Sequence, residues 1–169
     1  MEALVHQRAL GSCRALPLFA VALLLITSCD LTNPFLPRSA LQGDPAAKIR
    51  YPDSTELAKV GYERQVTLEG PAPAVDGFIF GADTSRDEVF YYYDRELRRL
   101  GWQQDTYSIY RSTVELVAWG WCKPRMTFRL GVKDASRAFQ ADLYQGRTYQ
   151  IVFEANLQGR EADVPCPKR

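Results

Sequence analysis

Residues Ser85 to Gly101 constrain the fold of this 169-residue chain more than any other stretch, because they spell a helix from cap to cap. Ser85 and Glu88 have capping-box spacing, in which hydroxyl and carboxylate take up amide donors that the first helical turn leaves free. Val89, Phe90, Tyr93, Leu97 and Leu100 recur at three- and four-residue steps, which predicts a helix over about Ser85 to Leu100 with one apolar stripe. Arg95, Arg98 and Arg99 fall toward its C-terminal end, where cations complement the helix dipole. Gly101 follows as a residue able to turn left-handed and end the helix.

A single apolar stripe needs a partner surface, and the flanking sequence supplies strands. Gly77 to Gly81 leads into the helix and Trp102 to Arg111 leads out of it. Thr113 to Trp121 follows, and Arg125 to Val132 alternates with Met126, Phe128, Leu130 and Val132 on one face. Arg147 to Ala155 continues through Tyr149, Ile151 and Phe153 after a turn at Gln145-Gly146. Ser54 to Val66 fits either a short helix or a strand. Short antiparallel strands around one helix predict an α+β fold, one long helix packed on an antiparallel sheet of about four to six strands.

Ahead of this domain, Arg8 and Arg14 precede an apolar run from Ala15 to Thr27, interrupted by Pro17. The run is shorter than the roughly 20 residues that span a bilayer, and fits a cleaved signal segment. Ile26-Thr27-Ser28-Cys29 behind it resembles the lipobox of a bacterial lipoprotein, an aliphatic residue and two small ones before the cysteine that becomes lipidated. The resemblance implies that residues 1–28 are removed, that Cys29 carries a diacylglyceryl group, and that the protein is lipid-anchored at the extracytoplasmic face of a cell membrane. Residues 29–48, with Pro34, Pro37 and Pro45 and no apolar period, then read as the lipidated cysteine and a flexible tether. Residues 49–169 are left as a single α+β domain. Tyr51-Pro52, Val89-Phe90-Tyr91-Tyr92-Tyr93, Leu97 and Gly101-Trp102 together resemble a loosely defined group of small bacterial envelope proteins of uncharacterised activity. That likeness implies a fold and an envelope location, and it carries no catalytic residue across.

Loss of residues 1–28 takes away His6, the only histidine. A chain without histidine builds neither a Ser-His-Asp nor a Cys-His site, nor a His-containing metal site. The 21 basic and 20 acidic side chains nearly balance, and removal of Arg8, Arg14 and Glu2 evens them, so no electrostatic case exists for nucleic acid as a partner. No phosphate loop, nucleophile elbow or metal-ligand spacing is present, so neither a cofactor nor catalysis is expected. Cys122 and Cys166 are expected to form a structural disulfide outside the cytoplasm, there being no CxxC motif for a redox role. Asp83, Asp87 and Glu88 could supply acid–base chemistry only across a cleft, and helix capping accounts for them more simply. Glu115 is read as facing solvent.

The remaining chemistry is aromatic. Trp102, Trp119, Trp121, Tyr91, Tyr92, Tyr93, Tyr107 and Tyr110 either fill the core or line a groove that stacks on sugar rings. Tyr92 falls off the helix stripe and is expected to point away from the core. Tyr92, Arg99, Trp119 and Trp121 are therefore the candidate binding patch. Two functions remain: non-catalytic binding or assembly of an envelope component, and binding of a small ligand or glycan through the aromatic patch.

Overall fold

The structure, a computed structural model, describes residues 33–105, 116–135, 149–161 and 164–166. Cys29, Tyr107, Tyr110, Glu115 and the Gln145-Gly146 turn lie outside the described residues. The chain is α+β. The described residues open with a short helix α1 (Arg38–Gly43) and a 3₁₀ turn (Pro45–Lys48). Strand β1 (Thr55–Tyr62), a small hairpin β2 (Gln65–Thr67) and β3 (Gly70–Ala72), and β4 (Val75–Ala82) come next. Helix α2 (Arg86–Arg99) leads to β5 (Gln103–Asp105), β6 (Leu116–Lys123), β7 (Met126–Asp134) and β8 (Ile151–Gly159). Ser54 to Val66, open between helix and strand in the sequence, is a strand in its first part.

Six strands form one antiparallel sheet in the order β1-β4-β8-β7-β6-β5, and β2-β3 is a separate two-stranded ribbon. Alternation is cleanest in β8, where Ile151, Phe153, Ala155, Leu157 and Gly159 are buried and the residues between them are half-buried. Register carries the apolar row across the sheet: Trp121 opposes Phe128, Phe128 opposes Leu157, and Phe153 lies between Val132 and Phe80.

Helix α2 has 14 residues and lays Val89, Tyr93 and Leu97 into this face. Both parts of the capping box are made: Ser85 Oγ accepts the Glu88 N–H, and the Glu88 carboxylate accepts the Ser85 N–H. The other end closes as a Schellman motif, with the Trp102 N–H on the Leu97 carbonyl, the Gly101 N–H on the Arg98 carbonyl, and Gly101 at φ 80°.

Residues 33–48 are not a free tether. Phe35, Leu41 and Ala46 are buried, and Leu41 and Ala46 belong to the same core as α2. Arg38 Nε donates to the buried Asp76 carboxylate at 2.8 Å, and Gln42 Nε2 to the same oxygen at 3.0 Å, which fixes α1 to β4. Lys123 Nζ reaches Asp44 at 3.4 Å and ties the 3₁₀ turn to the end of β6. Two of the prolines that mark a linker, Pro37 and Pro45, begin or bound short helical turns instead. These residues accordingly belong to the same compact unit as the sheet, Asn33–Arg169.

Candidate functional site

The candidate patch is largely drawn into the interior. Trp121 is fully buried, stacks on Phe90 at 5.8 Å, and donates its Nε1–H to Asp94 Oδ1 at 2.9 Å. Trp119, half-buried on the same face of β6, lies against Phe90 at 5.0 Å. Strand period thus put the two indoles on one side, and that side is the core.

Tyr92 does not point away from the protein. Its hydroxyl donates to the Arg50 carbonyl at 2.7 Å and its ring meets Tyr51 edge-on at 5.3 Å. The residues around Arg50 and Tyr51 cover the flank of α2, so a position outside the main stripe still finds a partner. Arg99 is exposed and pairs with Glu96 Oε1 at 3.2 Å. Phe90 and Arg99 stand about 13 Å apart along the helix axis. Tyr92, Trp119 and Trp121 take part in packing, whereas Arg99, two turns beyond Tyr92 on the same helix face, stays exposed beside Glu96. Tyr91 is the aromatic of α2 that stands out in solvent.

Carboxylates at the helix start are occupied by local structure. Glu88 accepts from the Thr84 hydroxyl and from the Ser85 N–H and hydroxyl, and these bonds hold its carboxyl below the usual range. Asp83 accepts the Gln150 N–H at 3.1 Å, and Arg86 pairs with Asp134 at 2.6 Å. An open hollow of about 380 Å³ lies here, lined by Thr84, Ser85, Arg86, Asp87, Asp134, Gln150 and Ile151. Among the described residues that line it there is no aromatic ring of the kind the sugar-stacking groove calls for.

Cys122 and Cys166 come together at disulfide distance, with Cα atoms 5.8 Å apart. Arg160 secures the same tail: its N–H donates to the Arg125 carbonyl at 2.8 Å, one guanidinium nitrogen to Pro165 O at 2.9 Å, and another lies 3.6 Å from Asp105.

The feature that sequence reasoning missed is the β2-β3 ribbon. Thr67 and Gly70 close a tight turn around Leu68 and Glu69, and the Thr67 hydroxyl donates to the Gly70 carbonyl at 2.9 Å while accepting the Glu69 N–H at 3.2 Å. Gly70 takes φ 121°, which only glycine adopts freely. Leu68 is 108% exposed and Val66 71%, the two most exposed large apolar side chains among the described residues. Glu69-Gly70-Pro71 is a turn signal that could have marked the ribbon, but three-residue strands are too short to show a period. Comparison with family models, with curated proteins and with solved structures gives no match.

Proposed function

We propose that this chain is a lipid-anchored protein of a bacterial envelope whose domain binds, or helps to assemble, another component of that envelope without catalysing a reaction. The observation that carries the reading is positional: Ile26-Thr27-Ser28-Cys29 stands four residues ahead of Asn33, from which the chain is packed into the domain. Four residues of extended chain reach about 14 Å at most. A lipid on Cys29 therefore holds the domain directly over the bilayer instead of on a long leash. Among the described residues no helix is long and apolar enough to cross a membrane, and in this reading the acyl chains do the anchoring. The domain is one long helix, α2, on an antiparallel sheet, with residues 33–48 as a second cover. We favour this reading over the glycan alternative because Tyr92, Trp119 and Trp121 take part in packing.

Intact mass of the membrane-extracted protein tests the anchor. The expected mass is that of residues 29–169 plus a diacylglyceryl adduct, and Cys29→Ser is expected to move the protein into the soluble fraction. Crosslinking in intact cells then names the partner. An unmodified Cys29 in protein taken from membranes would refute the reading.

A further inference from the structure

The β2-β3 ribbon has no part in the core, yet it is ordered by its own turn and presents apolar side chains at its tip. A two-stranded ribbon gains little stability by itself, and exposed Val66 and Leu68 add nothing to it from within the chain. Tyr62, 50% exposed, lies at the end of β1 just before the ribbon, so three apolar side chains stand out at one end of the sheet.

That end is also where the chain enters the fold. Asn33 Nδ2 donates to the Gln65 carbonyl at 3.4 Å, at the first residue of the ribbon. The segment is locked there. Arg64 donates to the Phe35 carbonyl at 2.8 Å, Arg125 to the Pro34 carbonyl at 2.9 Å, and the Arg38 N–H to Glu63 at 3.3 Å. From Gln65 to Leu68 is about 10 Å of extended strand, and from Asn33 to Cys29 is about 14 Å of chain at most. Ribbon tip and lipidated residue are thus held to one end of the domain by short lengths of chain.

We propose that the β2-β3 ribbon is a membrane-contacting finger, with Val66 and Leu68 seated in the interfacial zone of the bilayer that holds the Cys29 lipid; this rests on the lipid-anchor reading above. The occupant is lipid because the surface lies at the point of chain entry and because its apolar residues are few, two residues apart on a narrow tip and flanked by polar groups. Interfacial elements bury their apolar side chains only about 5–10 Å deep and keep charged neighbours at headgroup level, a depth that suits a tip of this length. Glu69, beside Leu68 in the turn, would stay hydrated at headgroup level. The contact supplies orientation: lipid on Cys29 fixes distance, and the finger fixes which end of the sheet faces the bilayer.

The test uses the full protein, extracted from membranes and reconstituted into phosphatidylcholine vesicles with or without bromine on the acyl chains. Leu68→Trp is compared with Tyr91→Trp, a substitution at a site 67% exposed on α2, with the emission of the native tryptophans subtracted. Leu68→Trp emission is expected to fall about twofold or more in brominated vesicles, while Tyr91→Trp changes little, as interfacial burial of the tip requires. Equal quenching at both positions would overturn the proposal. So would blue-shifted Leu68→Trp emission that brominated lipid does not quench, since a second copy or another protein would then cover the tip. Intact mass of the same samples separates the two readings. A lipid adduct without selective quenching leaves the anchor standing and removes the finger, whereas selective quenching without an adduct removes the anchor and leaves the finger.

Discussion

Two buried aromatics on facing elements treat their polar atoms in opposite ways. The Trp121 indole N–H is met by Asp94, whose second oxygen takes Arg98 Nε at 2.7 Å, so a charged network ends on a satisfied core residue. The Tyr93 hydroxyl is as deeply buried, among Phe128 at 5.6 Å and Phe153 at 6.1 Å, and its approach to the Tyr51 backbone falls short of good geometry, which leaves it without a well-formed hydrogen bond among the described residues. Burial pushes its phenol well above the usual range, which keeps it neutral. A buried hydroxyl without a partner costs about 1–3 kcal/mol, while its ring contributes through area and edge-to-face contacts. Tyr93→Phe keeps the ring and removes the cost. It is expected to leave stability unchanged or raise it by about 1 kcal/mol, read as the midpoint of urea unfolding. A loss of about 1 kcal/mol or more would mean that the hydroxyl is bonded after all.

Among elements, α2 was legible almost to the residue and the N-terminal cover was not, and the difference is physical. Capping box, stripe and Schellman glycine are all local, written within a few residues of where they act. Residues 33–48 have no period, and their holds on the domain are single contacts with residues distant in sequence, among them Arg38 on Asp76, Lys123 on Asp44, and Phe35 beside the end of β8 at Gly159. Nothing in Pro34, Pro37 or Pro45 tells a linker from a strap. Gly61 records the strap from the other side, because a Cβ there would run into the Arg38 guanidinium. Asp76 is the central point of this contact. Its carboxylate is buried, whereas Arg38 keeps about a quarter of its side chain in solvent, so the pair is weaker than a fully enclosed one. Asp76→Ala is expected to cost about 1–3 kcal/mol and to open the strap to trypsin at Arg38 and Lys48. Unfolding midpoint and digestion rate are both read on the full protein, and unchanged values for both would mean that Leu41 and Ala46 hold the strap unaided.

The whole sheet is organised around its last strand. β8 lies between β4 and β7, so among the described residues the two halves, β1-β4 and β7-β6-β5, join through residues 151–159. Alternation in β7 and β8 was readable because one face is buried and the other is not. Strand order was beyond reach of the pattern, since nothing local says that the final strand returns to the centre. This topology gives the cysteine pair its importance. Cys166 lies just past β8 and Cys122 on β6, two strands away, so the bridge encloses β7 and β8 and ties the keystone strand to the sheet beside it. With a sequence separation of 44 between the partners, chain-entropy reasoning gives about 4 kcal/mol as the loss of freedom in the unfolded chain. Arg160 already fixes the start of the tail through Asp105 and the Arg125 and Pro165 carbonyls, so the folded state loses little when the bond opens. Reduction is therefore expected to lower stability by about 2–4 kcal/mol while leaving the fold intact, seen as a lower urea midpoint with unchanged far-ultraviolet dichroism before the transition. Cys166→Ala, which leaves Cys122 buried and unaltered, is expected to match the reduced protein under both oxidising and reducing conditions. Equal midpoints for oxidised and reduced protein would show that the unfolded chain gains nothing from release of the bridge, and the anchoring of β8 would then rest on its ladders alone.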